Sequence, residues 1–409
     1  MSFAERRRFM KALFLSHRNS LALGGGGQQQ CTREYIDTLR AASFDLSELT
    51  YVTDRSLPTR IRRRINPKPY AYLFPPNFVL RVTEEVSRLS PSFVFCNLVD
   101  FLALGPTLRE RLDGSAKLVL LSHGLASVDY LHTARIASHG ALVSCVPRLS
   151  DQWIGQTLRE EAEGLAAFDH VFCLAEFEVE ICRWLGARSV SWIPRTMRTD
   201  QFVTWKPSGE RVGCVGTLDH PPNLEGAELL CEALQAIGTG KLRLRLVTHS
   251  RAISRDLCNR YSFVDDLGPL DSAGEMEAEA ATWNAFVHPI FCYARGCSTK
   301  VATALSWGLP ILTTAAGLRG YVWKDGKLPV SGSPKELARL VLAVLQPACA
   351  ASLREETFKI VRSSPSLLEV GNQIRRDLSP PEAYQDMSSY SASNSSGCVE
   401  NASKNSSPI

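Results

Sequence analysis

Two α/β units in tandem, each built on a parallel sheet, are what this chain predicts, and three observations predict it. Short apolar runs alternate with helical patterns along most of its length. A polar stretch from Thr199 to Gly209 interrupts the alternation, which then begins again. Finally, 409 residues exceed one ordinary core, since single cores stop growing at roughly 250 to 300 residues.

The elements follow in order. Lys11 to Ser16 reads as a first strand; Gly24 to Gly27 break it into a helical pattern from Gln28 to Ala42, with Tyr35, Ile36 and Leu39 on one face. Leu49 to Thr53 reads as a second strand, before a basic, proline-containing segment from Arg60 to Pro76. Strands are expected at Phe93 to Asn97, Lys117 to Ser122 and His170 to Leu174, with helices at Thr107 to Leu112 and Glu176 to Leu185. Ser191-Trp192-Ile193-Pro194 ends the first unit. The second has strands at Arg211 to Gly216, Leu242 to Thr248, near Ser262 to Asp265, at Ala285 to Pro289 and at Ile311 to Thr314. Its helices are expected at Asn223 to Ala236, Glu275 to Thr282, Pro334 to Leu345 and Ser352 to Arg362. The resulting domains are 1–198 and 199–365, a helix at 366–378 returns to the first domain, and a Ser- and Asn-rich tail, 379–409, is expected to be disordered.

Composition narrows the function. A hydrophobic content of 44% is enough for two cores, and a formal net charge of +4 is too mild for a nucleic-acid binder. The 12 cysteines lack zinc spacing, and several, such as Cys96, Cys173 and Cys214, sit in apolar runs as small buried hydrophobes of a reducing compartment. No apolar stretch reaches the roughly 18 residues of a membrane span, and the basic N-terminus lacks a cleavage site, so a cytoplasmic protein is expected. The N-x-Ser patterns at Asn394, Asn401 and Asn405 then read as accidents of composition. Arg60, Arg62, Arg63, Arg64 and Lys68, interleaved with Tyr70, Tyr72 and Phe74, read either as a solvated helix face or as a contact for a membrane surface.

Chemistry concentrates at Gly296-Cys297-Ser298-Thr299-Lys300, ahead of a short helical run and Gly308-Leu309-Pro310, the last strand and Gly317-Leu318-Arg319-Gly320. A Gly-Ser-Thr loop feeding a helix offers free amides and the positive end of the helix dipole to a diphosphate, and Lys300 adds a mobile cation. Gly24 to Gly27 let backbone approach a ligand closely, or form a flexible loop. His123, at the carboxyl end of a strand, suits a sugar hydroxyl or a leaving group, or caps the next turn. No Asp-x-Asp pair for magnesium is present; Asp265 and Asp266 are adjacent.

Together with Phe168 to Phe172, Ala175-Glu176, Leu185-Gly186, Ile193-Pro194, Val215-Gly216, Pro222-Asn223 and Leu267-Gly268, these pieces occur in an order that resembles the GT-B glycosyltransferases, specifically the family-four-like retaining group, from about residue 10 to about residue 375. The resemblance implies two facing Rossmann-like domains with the donor mainly in the second and a glycan or lipid-linked acceptor in the first. It implies donor contacts from Gly25, Gly26, Gly27, Gly216, Gly296, Cys297, Ser298 and Thr299, catalytic roles for His123 and Lys300, and no metal or other cofactor. Cell-surface polysaccharide assembly is the setting it suggests.

The sequence departs from that family at one pair. Two glutamates, eight positions apart, are typical around the phosphate loop, and here Arg295 and Thr303 stand in their places. Either Arg295 stabilises the leaving diphosphate, with Thr303 and backbone at the ribose, or the site has decayed to a binding or scaffolding module. A nucleotide-sugar epimerase is a further alternative that would need acidic residues around the sugar.

Overall fold

The computed structural model describes residues 9–22, 26–65, 69–70, 72–138, 151–270 and 272–379. Gly24, Gly25 and the tail beyond Ser379 lie outside them, as do residues 66–68 and 71 of the basic segment.

The first sheet comprises β1 (Met10–His17), β2 (Phe44–Tyr51), β3 (Phe93–Asn97), β4 (Lys117–Leu121), β5 (His170–Cys173) and β6 (Val190–Trp192), in the order β2-β1-β3-β4-β5-β6. The second comprises β7 (Arg211–Val215), β8 (Arg243–Val247), β9 (Val264–Asp266), β10 (Ala285–His288), β11 (Ile311–Thr314) and β12 (Val330–Ser331), in the order β12-β11-β10-β7-β8-β9. Every pairing is parallel. Both faces of each sheet are therefore covered, and side chains alternate between two cores. Leu13 and Leu15 enter one cluster while Ala12 and Phe14 enter the other; Ala285 and Val287 likewise part from Phe286.

In the first half the helices are α1 (Gly27–Ala41), α2 (Leu57–Ile65), α3 (Phe78–Leu89), α4 (Gly105–Leu112), α5 (Ala126–Ser138), α6 (Asp151–Leu165) and α7 (Glu176–Trp184). Those of the second are α8 (Pro221–Ile237), α9 (Arg251–Arg260), α10 (Ala273–Ala280), α11 (Thr299–Ser306), α12 (Pro334–Ala343) and α13 (Pro347–Ser363). The last, α14 (Leu367–Leu378), opens with a capping box at Ser366 and Glu369 and packs back onto the first domain. Val370, Ile374 and Leu378 join the core of α1 and β1, and Gln373 Nε2 donates to the Trp192 carbonyl at 2.7 Å. Among the described residues no single helix is long and apolar enough to cross a membrane.

The polar stretch after Thr199 does not hang free between the domains. Val203, Lys206 and Ser208 donate their amides to Trp307, Ala281 and Thr282, pinning it to the second domain.

In each sheet the chain reverses its direction of growth once, between β1 and β3 in the first and between β7 and β10 in the second. Connections leave such a point on opposite faces and open a crevice at the carboxyl ends of the strands. The loops after β1, β3 and β4 and those after β7 and β10 line one cleft of about 990 Å³ between the domains.

Candidate functional site

Two helix N-termini meet in this cleft. Helix α11 starts after Ser298, whose side chain makes no cap bond and whose buried Oγ has no partner among the described residues. Helix α1 starts after Gly26, which has no side chain to cap with. The first amides of an α-helix have no partner inside it, so both ends present donors and partial positive charge to the cleft. They are close together: a Cβ on Gly27 would stand 2.8 Å from Thr299 Oγ1. Glycine at this position is what lets the two ends approach.

Lys300 lies one turn into the same site. Its Cε and Nζ are 3.5 and 3.6 Å from where a Cβ of Gly216 would be, so the chain is laid across the loop after β7. Half-buried there, it is less mobile than a solvent-facing lysine. Burial and, to a smaller extent, Arg319 lower its pKa to about 8 against a raising effect of Cys214. Among the described residues it forms no ion pair.

The loop itself is held from across the domain boundary. Gly296, at φ +58, donates its amide to Glu178 Oε1 at 3.0 Å; the Arg295 amide goes to Asp129 Oδ1, also at 3.0 Å. Arg319, almost fully buried, donates from Nε to the Gly296 carbonyl at 2.7 Å and from Nη1 to Ala316 at 2.6 Å. Gly124 at φ +111 completes the seam, because a Cβ there would collide with the backbone of Arg295 and Gly296.

These bonds reassign several sequence-predicted residues. Gly296 shapes the loop, but its amide is committed to Glu178. Gly216 donates its own to the Val247 carbonyl at 3.1 Å, so it borders the cleft without offering a donor. The Arg295 guanidinium is bound by Asp129 Oδ2 at 3.0 Å from Nε. Thr303 lines the cleft but its hydroxyl donates to the Thr299 carbonyl at 3.1 Å, leaving it an acceptor. Gly26, Gly27, Cys297, Ser298, Thr299 and Lys300 gather as expected along the lips, and Gly25 lies outside the described residues.

His123 also lines the cleft. Asn97 Nδ2 donates to Ser16 Oγ and Thr32 Oγ1, both at 3.0 Å, which turns its Oδ1 toward His123 Nε2 at 2.7 Å. Nε2 therefore carries the proton and Nδ1 is an acceptor. Burial, aided by Arg195 and Arg295, lowers the imidazole pKa to about 3, so the ring stays neutral.

Three carboxylates hold positions at the site to which the sequence reading assigned no role. Burial alone would raise Asp129, but bonds from His220 and Arg295 outweigh it and hold the carboxyl below its ordinary value. Glu178 is the opposite case. Burial raises it to about 7 despite the amides of Gly296 and Leu125, and its Oε2 has no partner among the described residues. Glu176 Oε2 accepts the Gly320 amide at 2.8 Å. No spacing marks these residues, since each is defined by the domain it does not belong to.

The family model for Glycosyl transferases group 1 matches residues 209–347. This stretch resembles a group 1 glycosyl transferase domain. It contains β7, β10 and the α11 loop, the half of the cleft that carries Lys300. Solved structures share the two-domain fold across most of the chain. Sucrose-phosphate synthase from Thermosynechococcus elongatus superposes with a TM-score of 0.65 at 18% identity, covering 90% of this chain and 98% of that one. HepE from Anabaena, in complex with UDP and glucose, gives 0.57 at 15% identity, covering 90% and 99%. WaaG, a glycosyltransferase involved in lipopolysaccharide biosynthesis, gives 0.51 at 13%, covering 89% and 98%. At these identities the likeness shows the fold, a GT-B-like arrangement of two α/β domains. No curated protein matches by sequence.

Proposed function

We propose that the protein moves a sugar from a nucleoside diphosphate donor to an acceptor hydroxyl, with the diphosphate at the N-terminus of α11 and the acceptor entering along the first domain. One observation carries this reading: α1 and α11 without side-chain caps, and Ser298 Oγ and Lys300 without a partner or ion pair among the described residues, converge on a single cleft. Such donors match a diphosphate in the ground state and gain strength as charge builds on it during departure. They are fixed before the reaction starts, so little reorganisation is needed. The neutral His123, with Nδ1 as acceptor, suits a hydroxyl of the donor sugar. In this reading the leaving group's charge is met by helix ends and Lys300, without a divalent ion.

Same-face transfer with retention fits the carboxylates best. Asp129 is occupied by Arg295 and His220, and Asp100, the other acid lining the cleft, accepts Tyr51 Oη at 3.3 Å. Neither resembles a free nucleophile. HepE was solved with UDP and glucose, which makes uridine donors the first to try. A lipid-linked or glycan acceptor at the cytoplasmic face of a membrane fits α2, where Leu57, Ile61 and Ile65 are 68%, 48% and 79% exposed on an i, i+4, i+8 stripe amid Arg60, Arg62 and Arg64. Cell-surface polysaccharide assembly is the corresponding setting.

A second reading, binding without turnover, is favoured by Arg295 and Thr303 standing where carboxylates are usual and both being engaged internally. Calorimetry with UDP-, GDP-, ADP- and dTDP-sugars, followed by turnover assays against Lys300→Ala, separates the two. Binding with turnover, lost in the variant, supports transfer; binding alone supports the second reading; heat from none of the compounds removes both.

A further inference from the structure

The two helix ends that frame the cleft each carry a cysteine that sugar transfer leaves unused. Cys31 lies on α1, four residues after Gly27, and Cys297 directly precedes the α11 cap Ser298. Both line the cleft, and Cys297 packs against the hydrophobic cluster that contains Cys31, across the domain boundary. Arg195 also reaches Cys31, its Nη1 lying 2.9 Å from Sγ while its Nη2 pairs with Glu34 Oε2 at 2.7 Å.

These surroundings make the two sulfurs unequal. The neighbouring Cys297 thiol and then the Arg195 charge, acting against burial, lower the Cys31 pKa below its ordinary value. Burial raises Cys297, which stays protonated. Two unequal thiols, both lining a cleft wide enough for small molecules, are the arrangement of an oxidisable cysteine with its resolving partner. Cys173 and Cys182, 3.7 Å apart, share the proximity but not the access: both are buried away from the cleft.

We propose that Cys31 and Cys297 form a reversible, hydroperoxide-driven disulfide across the cleft that joins the domains and switches donor binding off. The Cys31 thiolate attacks the peroxide O–O bond, giving a sulfenic acid and, with one proton, a molecule of water when the oxidant is hydrogen peroxide. Cys297 sulfur then displaces the sulfenic hydroxyl, which leaves as a second water with the thiol proton. Two thiols are oxidised and one peroxide is reduced. A disulfide draws its Cβ atoms to about 3.5–4.5 Å. Imposed here, it fixes the lips where Gly27 already faces Thr299 and removes the opening through which a diphosphate enters. The switching part rests on the donor reading above, whereas formation of the bond does not.

The test uses the full reduced chain, treated with a small excess of hydrogen peroxide and mapped by mass spectrometry without reduction. The expected result is a Cys31–Cys297 linked peptide, with UDP, GDP and ADP binding lost by at least about tenfold and both restored by dithiothreitol. Cys297→Ser should abolish the link and leave a dimedone-trappable sulfenic acid on Cys31; Cys31→Ser, checked by thermal melting, should abolish both. Finding both cysteines reduced, or only Cys173 and Cys182 linked, overturns the proposal. A mapped link with unchanged nucleotide affinity overturns the switch. If the reduced chain binds no nucleotide, the donor reading and with it the switch fall, while the mapped link still stands or fails by itself.

Discussion

Asp129, on α5 of the first domain, binds both ends of Arg295 in the second, accepting its amide at 3.0 Å through Oδ1 and its guanidinium Nε at 3.0 Å through Oδ2. His220 Nε2 adds a third bond at 3.1 Å. This carboxylate fixes the phosphate loop from the opposite domain, so Arg295 acts as a tether more than as a ligand for the donor.

That assignment separates two variants. Arg295→Ala removes a half-exposed side chain and is expected to cost no more than about 1 kcal/mol of stability. Because the guanidinium is bound elsewhere, UDP affinity should change by less than about threefold. Asp129→Ala strands the Arg295 amide and guanidinium and His220, and is expected to cost about 2–3 kcal/mol. Denaturant melts and nucleotide titrations on both proteins check this; a tenfold loss of affinity in Arg295→Ala would return the residue to the diphosphate.

Lys300 is expected to behave as a ligand. Losing a charge-assisted bond should weaken nucleotide binding by about 10- to 100-fold in Lys300→Ala, or roughly 1.5–3 kcal/mol. Since its pKa is lowered to about 8, affinity in the native chain should fall as pH rises through that value, where the ammonium loses its proton. Lys300→Ala should flatten this dependence between pH 7 and 9. Titrations across that range measure both effects, and an unchanged slope in the variant would exclude Lys300 as the titrating group.

Chelation gives an independent check on the charge balance. With helix ends and a lysine meeting the leaving diphosphate, transfer rates should change by less than about twofold on adding EDTA. A collapse restored by magnesium or manganese would require a divalent ion at the diphosphate.

How far the sequence carried this picture depended on whether the deciding contacts were local. β3 and β11 are buried along their whole length because helices cover both faces, and the apolar residues that open them, Phe93 to Cys96 and Ile311-Leu312, are readable without a partner. The α11 loop was legible for the same reason, its glycine, cap and lysine lying in one short stretch. Helices α3, α5, α6 and α9 went unread. In α5 the polar side chains of Ser127, Asp129 and Thr133 are buried against other elements, which blurs the amphipathic pattern. Glu178 illustrates the limit best. Within Glu176-Phe177-Glu178 it reads as a solvent-facing helix acid, and only Gly296, 118 positions later, turns it into a buried interdomain acceptor.

Glu178 also sets a pH dependence that the fold should display. Its carboxyl is raised to about 7 by burial, above the roughly 4.3 of an unfolded chain, so the native state holds a proton that the unfolded state has released. The stability contributed by this site is complete below the unfolded value and is lost as pH rises from there through about 7. Above that pH the site costs on the order of 3 kcal/mol, the price of an ionised acid with one unpartnered oxygen. Glu178→Gln keeps an oxygen to accept the Gly296 and Leu125 amides while never ionising. The variant should therefore melt higher than the native chain at pH 8 and lose the decline between pH 5 and 7. Thermal melts of both proteins at pH 5, 6, 7 and 8 measure it, and parallel curves would show that Glu178 does not titrate in this window.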